Sequence, residues 1–174
     1  MAQRIIAIGG EPASGKSTLM KRIIKQHMPL KTFAYGLVRG LYSKDNDTYF
    51  IGIYDNSVFC GTDKLSMAVQ PDFIKLLNIK SKSTFVFEGD RLFSLNNLEL
   101  IKKHYKTHII LLENDSSVLN LRHKERNDKQ SEKFIKGRYT KIKNITEHFK
   151  DKNIYCLKNT QDTINLADTI IEFL

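Results

Sequence analysis

Arg4-Ile5-Ile6-Ala7-Ile8-Gly9 followed by Gly10-Glu11-Pro12-Ala13-Ser14-Gly15-Lys16-Ser17 is the stretch that decides the fold. The first six residues read as a strand buried on both faces. The next eight match G-x-x-x-x-G-K-[ST] without a gap. Such a loop wraps backbone N–H groups around phosphate oxygens, so glycines stand where dihedrals are unusual or a side chain has no room. Lys16 is placed to reach β- and γ-phosphates as a point charge, and the Ser17 hydroxyl to ligate Mg²⁺. Thr18 and the residues behind it open a helix whose positive end faces the same phosphates. Gly10, Ala13, Ser14, Gly15, Lys16, Ser17 and Thr18 are thus the expected nucleotide-binding residues, with ATP and Mg²⁺ as the expected cofactors.

Outward from this loop, apolar runs alternate with helix-period segments, the pattern of an α/β domain with a mostly parallel sheet flanked by helices. Core strands are expected at 4–9, 84–88, 108–112 and 153–157. Helices are expected at 16–27, 65–77, 95–104, 116–126, 131–150 and 163–174. Pro71 must fall in the first turn of its helix or kink it. Two further strands, 32–42 and 48–54, flank the turn Ser43-Lys44-Asp45-Asn46-Asp47 and read as a hairpin. The whole chain of 174 residues is expected to form one domain. It would carry an acceptor-binding insertion at about 32–68 and a helical lid at about 115–138.

Composition is that of an ordinary soluble protein, 41% apolar and 27% charged. No apolar run approaches the ~18–20 residues that span a bilayer. The N-terminus lacks a signal-peptide cleavage pattern, so a cytoplasmic location is expected. Cys60 and Cys156 stand 96 residues apart in apolar surroundings and read as buried, reduced thiols. The five histidines have no metal-ligand spacing. The net charge of +9 is concentrated: residues 122–143 hold nine basic and three acidic side chains. A positive field of that kind suits a polyanionic partner, whereas an isolated basic helix is often only a solvated face.

The phosphate loop is shared by several classes. A GTPase would need an N-K-x-D loop, and Asn159-Thr160-Gln161-Asp162 lacks the lysine. No D-x-x-G switch is convincing. The second buried strand instead ends Glu88-Gly89-Asp90-Arg91, beside the loop in this architecture. Glu88 there can serve the Mg²⁺ shell or accept a proton, and Asp90 joins it as a candidate acid. Arg122 and Arg126 are four apart on one expected helix face after the third strand, where a kinase lid belongs. They are the candidate catalytic arginines, and the basic run gains a role in phosphoryl transfer.

Glu11-Pro12-Ala13-Ser14-Gly15-Lys16-Ser17-Thr18, Gly61-Thr62-Asp63-Lys64-Leu65-Ser66-Met67-Ala68, Phe87-Glu88-Gly89-Asp90-Arg91 and Gln130-Ser131-Glu132-Lys133-Phe134 with Gly137-Arg138 together resemble a family of bacteriophage P-loop kinases of DNA hypermodification. They are similar to the 5-hydroxymethyluracil DNA kinases. The resemblance runs from residue 9 to about 145. It implies an ATP-dependent kinase acting on a hydroxymethylated pyrimidine within DNA, in host cytoplasm. Asp63 would then orient or deprotonate the acceptor hydroxyl, or else cap the helix that follows. Tyr35, Tyr42, Tyr49, Phe50, Tyr54 and Phe59, with Arg39, Lys44 and Lys64, would supply aromatic faces and cations to a flipped base, part of them serving only as packing. The competing readings are a kinase of a free nucleoside or nucleotide and a nucleotide-gated DNA-binding module.

Overall fold

The computed structural model describes residues 3–55, 57, 60–125, 131–150, 154–158 and 167–170. Among these, seven strands form one sheet: β1 (Arg4–Gly10), β2 (Lys31–Tyr35), β3 (Val38–Ser43), β4 (Thr48–Ile51), β5 (Thr84–Glu88), β6 (Lys106–Glu113) and β7 (Ile154–Lys158). The helices are α1 (Lys16–Gln26), α2 (Val69–Ile79), α3 (Leu95–His104), α4 (Ser116–Glu125) and α5 (Glu132–Phe149). The spatial order is β2-β3-β4-β5-β1-β6-β7. Pairing is parallel from β4 through β7 and antiparallel between β2, β3 and β4.

The doubly buried strands explain themselves by alternation. Ile5 and Ala7, Phe85 and Phe87, and Ile109 and Leu111 face one core with α2, α3 and α5. Ile6 and Ile8, Val86, and Ile110 and Leu112 face the other with α1 and residues Ala167 and Ile170. Apolar side chains pointing both ways leave no solvated face, so the run of isoleucines in β1 must lie at the centre of the sheet. The sheet order puts it there.

Three expectations change in detail. The strand expected at 32–42 is broken at Gly36-Leu37 into β2 and β3, so the hairpin becomes a three-stranded meander. Its last strand, β4, pairs parallel with β5 and is itself a core strand, which raises the parallel set from four to five. The helix expected at 65–77 is instead a 3-10 turn, Thr62–Lys64, followed by α2 from Val69, with Pro71 in the first turn. Cys60 is buried as expected, but Cys156 is exposed, because β7 is the last strand in the sheet order and leaves one edge unpaired among the described residues.

The meander also settles where its aromatic rings go. Phe50 is fully buried, and Tyr49 stacks on Phe85 at 5.1 Å while meeting Phe33 edge-on at 5.0 Å and Tyr42 at 4.4 Å. Tyr54 donates its hydroxyl to the Ile51 carbonyl at 3.1 Å. Tyr49 and Phe50 build core and leave the set of faces open to a substrate, while Tyr42 and Tyr54 are half-buried and pack against that core. Phe59 lies outside the described residues. Tyr49→Ala is therefore expected to destabilise the fold by ~3–5 kcal/mol, as for other buried aromatic truncations. Urea unfolding read by circular dichroism checks this, and a loss under 1 kcal/mol would return Tyr49 to the candidate substrate residues.

Candidate active site at the phosphate loop

Parallel pairing sets the site. Ile8 of β1 lies opposite Glu88 of β5, and Gly10 opposite Leu112 of β6, so three strands end together below the phosphate loop. Gly10 takes φ 151°, and a Cβ there would stand 2.6 Å from Ser14 Oγ and 2.8 Å from the Leu112 carbonyl. Only glycine lets the chain leave β1 this way. Ala13, at φ 63°, holds a left-handed conformation that costs an alanine free energy and that the surrounding loop must impose. Gly15 precedes α1 in the left-handed region, so the first free N–H groups of the helix open toward the loop.

Lys16 curls over this loop. Its Nζ donates to the Gly10 carbonyl at 2.9 Å, to the Glu11 carbonyl at 2.8 Å and to Ser14 Oγ at 3.4 Å. The ammonium thus stays at the concave face of the loop. Ser17 Oγ donates to Glu88 Oε1 at 3.0 Å. Glu88 is 1% exposed, and burial pushes its carboxyl up to about 7, against the lowering pull of Lys16 and Ser17. Thr18 is exposed in the first turn of α1.

Asp63 arrives from the 3-10 turn. Its Oδ1 accepts the Asp90 backbone N–H at 2.6 Å, so it ties the turn to the tip of β5 rather than capping α2, whose N-cap is Ala68. Gly61 makes the approach possible: a Cβ there would stand 2.2 Å from Glu88 Oε1, at φ 76°. Burial first, then the Asp90 charge, raises the Asp63 carboxyl above its ordinary value, while Asp90 N–H, Lys16 and Arg138 oppose the shift. Thr62 Oγ1, beside Gly89, is buried with no hydrogen-bond partner among the described residues. Glu88 and Asp63 thus both feel the charge of Lys16, with Asp90 tied to Asp63 through its backbone N–H.

Asp90 is already engaged. Arg138 Nη1 lies 2.9 Å from Oδ2 and Lys141 Nζ 2.9 Å from Oδ1, both reaching from α5. Arg138 also sits 4.6 Å over the Phe134 ring. Arg122 of α4 donates to the Ala13 carbonyl at 3.2 Å and to Asn114 Oδ1 at 3.0 Å, and Asn114 Nδ2 donates to the Ser14 carbonyl at 3.2 Å. The expected lid arginine is thus joined to the phosphate loop itself. Arg126 lies outside the described residues. The residues missed in the sequence are Asn114 and Lys141, while Arg138, quoted there only as part of the resemblance, had no site role. Asn114 directly follows a buried strand, a position that favours site residues in this architecture. Arg138 and Lys141 share one face three residues apart, but nothing in their spacing identifies Asp90 as the partner.

The donors fit a nucleoside triphosphate with Mg²⁺. A hydroxyl and a carboxylate are hard oxygen donors, and Mg²⁺ commonly takes one or two protein oxygens beside phosphates and waters.

A parallel sheet whose central strand runs into this loop, with an acid at the end of the neighbouring strand, defines a P-loop NTPase fold. The model of the P-loop Nucleotide Kinase3 family matches residues 1–161, and the chain belongs to that family of P-loop kinases. No curated protein matches the sequence. A crystal structure of an uncharacterized protein from Eubacterium ventriosum is similar, with TM-score 0.53 and 16% identity, covering 98% of both chains. A gluconokinase from Sinorhizobium meliloti is similar with TM-score 0.53 and 11% identity, covering 97% of this chain and 89% of that one. At these identities the two structures speak for the fold. Among the described residues no helix is long and apolar enough to cross a membrane.

The buried carboxyl has a thermodynamic signature. Glu88 holds its proton to a higher pH when folded than when unfolded. Its contribution to stability is therefore present below the unfolded value near 4.5 and is lost as pH rises through about 7. Glu88→Gln removes the buried charge, keeps an acceptor for Ser17 and should raise ligand-free stability at pH 8 by on the order of 3 kcal/mol. The gain should shrink toward zero at pH 5. Thermal melts of both proteins at the two pH values decide it, and an equal shift at both would reject the assignment.

Proposed function

We propose that the chain is an ATP-dependent kinase that transfers the γ-phosphate to the hydroxymethyl group of 5-hydroxymethyluracil, or a related hydroxymethylpyrimidine, in DNA. The observation that carries this reading is the position of Gly61-Thr62-Asp63-Lys64. The stretch that resembles the DNA-modifying kinases packs against Glu88 and Gly89 at the phosphate loop, with Asp63 facing Lys16. A family-specific segment at the reacting end of the site bears on the acceptor more than on the fold.

In this reading the loop amides and Lys16 hold the triphosphate, and Ser17 with Glu88 serves the Mg²⁺ position. Mg²⁺, when bound there, would supply charge neutralisation to the phosphates. Asp63 accepts a hydrogen bond from the acceptor hydroxyl and aims it. A primary alcohol attacking a loose transition state needs positioning more than full deprotonation. Arg122 stiffens the loop through Ala13 and Asn114 and lends positive charge beside it. Lys124, Lys133 and Lys136, exposed on α4 and α5, suit the phosphates of a DNA strand. Asp90 holds α5 in place through Arg138 and Lys141.

The second reading is a kinase of a free small acceptor such as a nucleoside or nucleotide. The family match supports a nucleotide or small-molecule kinase, and the gluconokinase neighbour carries a small-molecule name. The decisive experiment is transfer of labelled γ-phosphate to hydroxymethylated DNA, unmodified DNA, free nucleosides and free nucleotides in parallel. Label in hydroxymethylated DNA alone is the expected result, and label only in a free acceptor overturns the proposal.

Two variants accompany it. Lys16→Ala should drop transfer below a tenth of wild type while the fold persists, since several kcal/mol of charge stabilisation go with the ammonium. Arg122→Ala should lower kcat on the order of 100-fold and also raise the KM for ATP. A change confined to the KM for DNA would make Arg122 part of a plain electrostatic surface.

A further inference from the structure

Gly137 stands inside α5, past its first turn, and the fold gives no reason for a glycine there. Every other glycine of the chain is demanded: a Cβ would meet a neighbour at 2.1–2.7 Å, or, at Gly15, φ is 92°. At Gly137 the backbone is helical and a Cβ would meet nothing within 4 Å. After proline, glycine is the least favoured helix residue, so an alanine would hold α5 better. What the glycine does provide is bare helix backbone toward solvent, which another molecule can approach closely.

The bare backbone has a defined frame. On the helix surface its neighbours three and four positions away are Lys133, Phe134, Thr140 and Lys141. Lys133 is exposed, as is Lys136 at the border, and Phe134 is 40% exposed. The Arg138 guanidinium lies 4.6 Å over the Phe134 ring. Arg138 and Lys141 both face Asp90, two cations against one carboxylate. The frame is therefore net positive with an aromatic face set in it. It suits a partner that carries both negative charge and flat apolar surface, and a nucleic-acid strand has these as phosphates and bases. Bases in a duplex are stacked on one another, so the Phe134 ring favours an unpaired strand. The frame also adjoins the site. Asp90, held by Arg138 and Lys141, donates its N–H to Asp63 at 2.6 Å, so a strand lying over Gly137 passes beside the residue that aims the acceptor.

We infer that the face of α5 around Gly137 is a docking surface for single-stranded DNA, with the strand close over the bare backbone, a base on Phe134 and phosphates on Lys133 and Lys136. The inference rests on the DNA-kinase reading for the choice of DNA, and on α5 itself for the surface.

The test follows the anisotropy of a fluorescent oligothymidylate of about 12 nucleotides, single-stranded or annealed to its complement, over a range of salt concentrations. The single strand is expected to bind more tightly than the duplex. Gly137→Gln should raise the melting temperature, because the helix gains propensity, yet weaken single-strand binding on the order of ten-fold, because a side chain now fills a close contact. A fall in both would make the glycine structural and overturn the inference. Phe134→Ala should weaken single-strand binding about 5- to 100-fold at every salt concentration, the span of one lost base–aromatic stack. Lys133→Ala should flatten the salt slope by about 0.7, one phosphate contact on a single strand. Single-strand affinity unchanged in Gly137→Gln and Phe134→Ala overturns the inference, and so does duplex binding as tight as single-strand binding. A wild-type dimer that Gly137→Gln splits without touching DNA affinity would make this face a contact between copies of the chain and overturn it as well. Phosphorylation of hydroxymethylated DNA with a KM that neither variant moves rejects the surface and leaves the DNA-kinase reading standing. Single-strand binding through this face, with label transferred only to a free acceptor, leaves the surface standing and rejects that reading.

Discussion

A carboxylate almost wholly withdrawn from water, hydrogen-bonded to the serine of the phosphate loop, is the constraint on which the rest of the site depends. Glu88 can occupy that place because β5 runs parallel to β1 in a register that brings Glu88 opposite Ile8. The strand must be buried on both faces to reach the centre, so the acid at its end is buried as well. Burial of an ionisable group is costly unless it is paired. Ser17 and Lys16 offset part of that cost here, and a bound cation would offset more. The ligand-free site is thereby poised for positive charge, and Gly61 is shaped to let the neighbouring turn close over the same oxygen.

Around that acid, the loop is braced from two directions. Asn114 and Arg122 hold the Ser14 and Ala13 carbonyls on the β6 side. Arg138 and Lys141 hold Asp90 on the β5 side. Arg122 lies within the segment expected to act as a lid, and Arg138 and Lys141 stand at its end and just beyond it on α5. A shift of α4 or α5 would therefore be felt directly at the phosphate loop, because the contacts are single hydrogen bonds and ion pairs rather than broad packing. This gives the concentrated basic charge two physical tasks. Part of it neutralises acids at the site, and part stays exposed on α4 and α5.

The fold was legible where residue type and spacing carry one meaning. The phosphate loop, the α3 boundaries and the buried strands follow from glycine placement and from apolar runs that admit no polar face. The meander was harder. Val38 to Ser43 and Thr48 to Ile51 are short, and Gly36 at φ 53° gives little warning in sequence that a strand turns there. The aromatic insertion resembled a stacking platform because a core strand and a binding strand use the same side chains. Only the parallel pairing of β4 with β5 shows that Tyr49 and Phe50 face other rings rather than solvent.

By itself the sequence determined that this chain folds around a nucleotide-phosphate loop, with an acid at the end of the neighbouring strand. Those features are local, written in contiguous residues whose backbone demands have few alternatives. Only the tertiary structure decided the partners. Asp63 meets Asp90 across 27 positions, Arg138 lies opposite the same acid, and Arg122 reaches Ala13 across 109. A long polar side chain can pair with any opposite group within reach. Which one it meets depends on strand order and helix placement, which the chain acquires only when its apolar faces are buried together.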